Sequence, residues 1–420
     1  MKIVRPNKIR IEVTPPPCKS ISHRLLFFTL LEKGEYEIKN LLKAKDVKRT
    51  LDFIKNLGIL VSSTEQGLIL RNNRLKEPTK VIYCGNSGTT ARIGMGICSS
   101  FSFNFFLDGD SSLKARPMGR VIEPLKKMGA VIYATHDNTK LPAFIRGRKL
   151  KGIKYKIPVP SAQVKSSLIL SSFLSKVESE IEEVLKTRDH TERILKYIGA
   201  EIITKNNKII VKPSRINNFS LKVPGDFSSA SFWITLGVLH PDSKIVIKNV
   251  NLNETRTFYL SILKKMGANI ETHLKIKEPE PEGDIYVSSS ELKPIRIGFS
   301  ECSKMIDELP LLALVCCFTK GESVIEGAKE LRVKESDRLK NTAKVLRRFG
   351  AKIEEFKDGW IIEGVDKLHG AKVFTYKDHR MALLSICAGF LAQGETEIKG
   401  WKWIEISYPK FIEEVKRIYE

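Results

Sequence analysis

The chain has 420 residues, 42% of them hydrophobic, and carries a formal charge of +23 at neutral pH. That length and apolar content can bury more than one core and exclude a disordered chain. The charge raises nucleic acid as a partner, yet the Lys and Arg residues are spread along the whole sequence, with no basic tail, Cys/His finger or aromatic RNA-recognition motif, so a strongly anionic small substrate accounts for it equally well.

The opening "MKIVRPNKIRIEV" alternates in charge and lacks an unbroken apolar segment, so it reads as a β-strand and not as a signal peptide. At 19–24, "KSISHR" sets Ser20 and Arg24 one helical turn apart behind Lys19, which makes either a phosphate or carboxylate cradle or an ordinary solvated helix start. Residues 83–92, "YCGNSGTTAR", read as strand, turn and helix; the N–H groups of Ser87 to Thr90 are then helix-start donors suited to an anion, although capping alone also explains the segment. The run "LPLLALVCCF" at 309–318 is about half the length of a membrane span and is expected to be a buried helix, so a cytoplasmic protein without membrane association is expected. Seven cysteines without a Cys-x-x-Cys pair, among them the core-like Cys98, Cys316, Cys317 and Cys387, and scattered histidines predict no disulfide framework, no metal and no cofactor.

A phrase consisting of an apolar helix end followed by glycine recurs at Gly58, Gly129, Gly199, Gly267 and Gly350, at intervals of about 70 residues. Each glycine fits the left-handed position just past a helix, and each is followed by a strand, a turn and a second strand. A sixth unit would end near the C-terminus, with its missing strand supplied by residues 1–13. Helix openings recur in phase at Lys19 and Ser20, Asn86, Ser161, Asp226, Asp307 and Asp378. Six openings of one orientation would build an anion-binding face. The first three are basic or neutral and the last three carry aspartate, dividing the chain at "VPGDF". The expected architecture is α/β: two pseudo-threefold domains of three repeats, residues 15–223 and residues 1–14 with 224–420.

In "RVKESDR", Lys334 and Arg338 are expected as a like-charged i,i+4 pair on one helix, costly unless an anion lies between them, with Glu335 beside them to relay a proton. Arg116 and Arg380 add cations at the mouths of elements, and His379 next to Arg380 reads as either structural or acid–base. No Walker loop, dinucleotide fingerprint or Gly-x-Ser-x-Gly elbow is present, so nucleotide and serine-nucleophile chemistry are unsupported.

The ordered motifs "KSISHR", "GNSGTTAR", "KARPM", "SAQVKSS", "RDHTER", "GDFSSAS", "IDELP", "RVKESDR" and "DHRMA" span nearly the whole chain and resemble the EPSP synthase family of enolpyruvyltransferases. The resemblance implies an inverse α/β barrel fold of βαβαββ units in two domains closing over a cleft. It implies transfer of the enolpyruvyl group of phosphoenolpyruvate to the 5-hydroxyl of shikimate 3-phosphate, a step of aromatic amino acid biosynthesis. It also implies the site residues. Shikimate 3-phosphate falls to Lys19, Ser20, Arg24, Ser161, Ala162, Gln163, Thr187, Asp307 and Lys334, and mainly to the first domain. Phosphoenolpyruvate falls to Lys19, Asn86, Gly88, Arg116, Gln163, Arg338 and Arg380, with Asp307, Glu335 and Lys19 catalytic. Ile406 stands where many members carry a lysine that clamps phosphoenolpyruvate, which leaves that task either to Arg116, Arg338 and Arg380 with Lys19 or to the neighbouring Lys402 or Lys410. The partners implied are these two small molecules, without nucleic acid, acting on a monomer. The alternatives are the sister UDP-N-acetylglucosamine enolpyruvyltransferase, whose mobile-loop cysteine is missing from "GDSSLKARP", and a non-enzymatic anion or nucleic-acid binder, which would not need Asp307 and Glu335.

Overall fold

The computed structural model describes residues 1–419. The chain divides into two compact units: Pro17–Val223 with Glu278–Glu280, and Met1–Pro16 with Pro224–Lys277 and Pro281–Glu420. Each has its own hydrophobic core and three small sheets.

One pattern recurs in these sheets. In the second repeat, Ile82–Tyr83 pairs parallel with Asn104–Asp108, which pairs antiparallel with Lys140–Arg146, which closes a hairpin with Val131–Ala134. The parallel step requires a crossover, and the helix Gly88–Ser100 supplies it. A second helix, Gly119–Lys127, leads into the hairpin, completing βαβαββ. In the Pro17–Val223 unit the leading strand of the first repeat is the last to be made: Ser220–Lys222 lies parallel to Gly34–Lys39.

The two helices of a repeat differ in sequence because they differ in burial. Crossover helices such as Gly88–Ser100, Ala162–Ser175, Phe227–Leu239 and His379–Leu391 are apolar or small on nearly every face and lie within the core. Gly96 permits this packing, since a Cβ there would sit 2.5 Å from the Ser167 carbonyl oxygen. The hairpin-leading helices are amphipathic: Lys45–Asn56 buries Val47, Thr50, Phe53 and Ile54 and turns its lysines to water. After these helices Gly58, Gly129, Gly199, Gly267 and Gly350 all have φ between 88° and 107°, the left-handed conformation that their recurrence in the sequence predicts.

Two local expectations need correction. Only part of the N-terminal segment completes the sixth repeat: Lys2–Ile3 pairs antiparallel with Thr396–Lys399, whereas Ile9–Val13 lies parallel to Ser243–Asn251 and opens the fourth. Ile9, Ile11 and Val13 are buried there, an alternation that needs a sheet face of its own. The helix openings also differ. Ser87, not Asn86, caps its helix, alongside Ser161, Asp226 and Asp378, while the helices starting at Lys19 and Leu309 have no side-chain cap.

Candidate active site

Within the Pro17–Val223 unit the starts of the three crossover helices meet through arginine and glutamine side chains. Arg92 reaches from the first turns of Gly88–Ser100 to Gln163 Oε1 at 2.7 Å and to the Pro117 carbonyl at 3.0 Å, while Gln163 Nε2 donates to Thr89 Oγ1 at 3.0 Å. A Cβ on Gly88 would lie 2.9 Å from Arg92 Nη1 and 3.4 Å from Arg116 Nη1. Two guanidinium groups therefore flank a residue without a side chain at a helix N-terminus, where backbone N–H groups and the helix dipole favour anions. Arg116 is held by Asn86 Oδ1, and Asn86 is fixed in turn by Asp110 Oδ2 at 2.9 Å.

Arg24 is buried and ties the helix starts together. It donates from Nε to Thr191 Oγ1 at 2.8 Å, from Nη1 to the Ser20 carbonyl and from Nη2 to Ser166 Oγ, both at 2.9 Å. Burial pushes its pKa down to about 10, with Glu192 working the other way. Lys19, the first helical residue, pairs with Asp46 at 3.3 Å, and Arg188 touches Ser20 Oγ at 3.4 Å. Ser161 caps its helix through the Val164 N–H, with Ala162 and Gln163 in the first turn. Thr187 lies in the irregular segment before the helix His190–Tyr197.

In the other unit the focus is Arg338, 2% exposed at the start of Arg338–Arg348. Its guanidinium reaches three carboxylates: Asp378 Oδ2 at 2.9 Å, Glu335 Oε2 at 2.5 Å and Asp307 Oδ1 at 3.3 Å. Burial opposes its charge, but Asp378, Glu335 and Asp307 outweigh burial and raise its pKa. Lys334 is not on that helix: it has extended backbone outside it, so the expected i,i+4 pairing with Arg338 does not form. Its ammonium is nevertheless coupled to this cluster; burial lowers its pKa, Asp307 raises it and Arg338 lowers it. Arg380 donates from Nη1 to the Ser228 carbonyl at 3.0 Å, and its backbone N–H goes to Asp378 Oδ1 at 2.8 Å. His379 is buried beside Asp378, with Nδ1 3.7 Å from Oδ1.

Asp307 and Glu335, the two carboxylates singled out in the sequence, thus share one guanidinium, next to a lysine of lowered pKa. Such a group can accept a proton, return one and stabilise negative charge between those steps. Arg92 and Arg188 received no role from the sequence, and Asp378 was read only as a helix opening. All three stand inside quoted motifs, but the partners of Arg92 and Arg188 lie 71 and 168 residues away, and Asp378 lies 40 residues from Arg338. Ile406 is half-buried in the turn Trp401–Ile406, and Lys402 and Lys410 are exposed.

The family model for EPSP synthase (3-phosphoshikimate 1-carboxyvinyltransferase) matches residues 3–415. The chain belongs to this family. A 3-phosphoshikimate 1-carboxyvinyltransferase from Thermodesulfovibrio yellowstonii is 46% identical over 417 residues, covering 97% of each chain. One from Thermotoga neapolitana is 40% identical over 419 residues, 100% of this chain and 99% of the relative. The solved EPSP synthase from Acinetobacter baumannii superposes with a TM-score of 0.87 at 34% identity, over 99% of this chain and 97% of that one. The chain is an enolpyruvyl transferase of the EPSP synthase family, with its two-domain α/β fold. Among the described residues no helix is long and apolar enough to cross a membrane.

Proposed function

We infer that this EPSP synthase family member uses residues of both clusters for each of its two substrates. Shikimate 3-phosphate falls to Lys19, Ser20, Arg24, Ser161, Ala162, Gln163 and Thr187, with Asp307 and Lys334. Phosphoenolpyruvate falls to Lys19, Asn86, Gly88, Arg116, Gln163, Arg338 and Arg380. Asp307 takes the proton of the 5-hydroxyl as its oxygen bonds to C2 of phosphoenolpyruvate, while Glu335 with Lys19 gives a proton to C3. The same Glu335 and Lys19 then take a proton back from C3 of the tetrahedral adduct as its C2–O bond to phosphate breaks, leaving the enolpyruvyl ether and inorganic phosphate, which carries off the proton first taken by Asp307. No covalent bond to the protein is required, only proton relays and cations around two phosphates and a carboxylate.

The observation that carries this assignment is the Arg338 fork, which holds Asp307 and Glu335 at 3.3 and 2.5 Å from one guanidinium. A simple anion binder gains nothing from carboxylates placed against its cations. The test is phosphate release: turnover is expected only when phosphoenolpyruvate and shikimate 3-phosphate are both present. Turnover with UDP-N-acetylglucosamine in place of shikimate 3-phosphate, or salt-sensitive RNA binding without turnover, would reject the assignment. The same proposal takes the enzyme to act as a cytoplasmic monomer without cofactor, and light scattering at working concentration tests the monomer.

A further inference from the structure

Lys165 lies one turn past Ser161 on the helix Ala162–Ser175, and its side chain is fully buried. Its ammonium meets three acceptors: Glu192 Oε1 at 2.7 Å, Glu183 Oε2 at 2.9 Å and the Thr187 carbonyl at 3.3 Å. All three N–H donors of the ammonium are thereby used. Glu183, the last residue of the strand Ser179–Glu183, turns its other oxygen to Thr187 and accepts from the Thr187 backbone N–H at 3.1 Å and from its hydroxyl. The N–H, carbonyl and hydroxyl of Thr187 are thus all held by one buried ion pair, although Thr187 itself is in a segment without regular secondary structure.

Stability alone is a poor reason to keep this arrangement. Two carboxylates and one ammonium are almost completely withdrawn from water, and a buried ion pair of this kind rarely outperforms well-packed apolar side chains. What it provides is a fixed distance between the helix start at Ser161 and the segment at Thr187, two places assigned to the same substrate. We propose that Glu183, anchored by Lys165, is a positioning residue for shikimate 3-phosphate, acting through Thr187. This rests on the assignment of Thr187 to that substrate.

Steady-state kinetics of the full chain, with each substrate varied in turn, test it. Glu183→Ala should raise the KM for shikimate 3-phosphate about tenfold, the loss expected for one or two charge-assisted hydrogen bonds, and leave the KM for phosphoenolpyruvate within twofold. Glu183→Gln, which keeps an oxygen for Thr187, should restore most of the loss. Should Glu183→Ala fail to fold, Glu183→Asp carries the test: it keeps the charge beside Lys165 but withdraws the oxygen from Thr187, and the same selective rise in KM is expected. An unchanged KM for shikimate 3-phosphate in the folded variant, or an equal change in both KM values, overturns the proposal. Thr187→Ala separates the two levels. If it raises that KM and the Glu183 variants do not, only the positioning role fails; if it too has no effect, the substrate assignment fails and the positioning role with it.

Discussion

Gly88 is where one atom decides most. With Arg92 Nη1 2.9 Å from where its Cβ would stand and Arg116 Nη1 at 3.4 Å, a methyl group must displace a guanidinium or occupy the place of an anion. Gly88→Ala is expected to raise the phosphoenolpyruvate KM at least tenfold, with little change in melting temperature because both neighbours are flexible side-chain ends; an unchanged KM would remove Gly88 from the site. His23 makes a different prediction. It is buried against Thr50 Oγ1 at 2.7 Å, and burial, then the charges of Lys19 and Arg24, hold its pKa well below the ordinary 6.5. The unfolded chain binds a proton there that the folded chain refuses, so stability falls as pH drops below 6.5, by at most about 1.4 kcal/mol per pH unit. Melting curves from pH 7.5 to 5.5 should be flatter for His23→Gln than for the unaltered protein, and parallel curves would contradict this. At this scale the residue types of the site were legible, because anion chemistry needs arginine, lysine and glycine at helix starts. Their partners were not: nothing local to Arg92 points to Gln163, and Asp378 reads as a helix cap until the fold brings it to Arg338.

Among the elements, the crossover helices are the ones whose ends must be exact in position, and four are fixed by side-chain caps. Asp226 Oδ1 accepts from the Ser229 N–H at 2.9 Å. Asp226→Ala should therefore cost about 1 kcal/mol of unfolding free energy, and Asp226→Asn much less, since the amide oxygen can still cap; equal losses in denaturant melts would show that the charge and not the cap matters. The repeat itself was legible because five of the six units end their second helix with a glycine that the left-handed turn requires. Strand exchange at the N-terminus was only half legible. The alternation in Ile9–Val13 marks a strand, but strand pattern carries no address, and parallel pairing with Ser243–Asn251 joins residues far apart in the chain. The extended Lys334 was missed for a related reason: "RVKESDR" has helical composition throughout, yet Asp337 caps the helix at Arg338 and leaves Lys334 outside it.

At the scale of the molecule, a charge of +23 is distributed over a chain whose active clusters are not simply basic. Arg338 is surrounded by Asp378, Glu335 and Asp307, so its positive charge is balanced by carboxylates of the same unit. An enzyme that must move protons next to anionic substrates needs this balance, and a receptor for anions does not. Asp307 is proposed as the proton acceptor, and measuring kcat and shikimate 3-phosphate affinity together in Asp307→Ala tests that role. In this variant kcat should fall on the order of a hundredfold or more while the substrate dissociation constant changes only severalfold. A folded Asp307→Ala enzyme that keeps its kcat within about threefold of the unaltered protein would contradict it, because a proton acceptor cannot be removed at so small a cost.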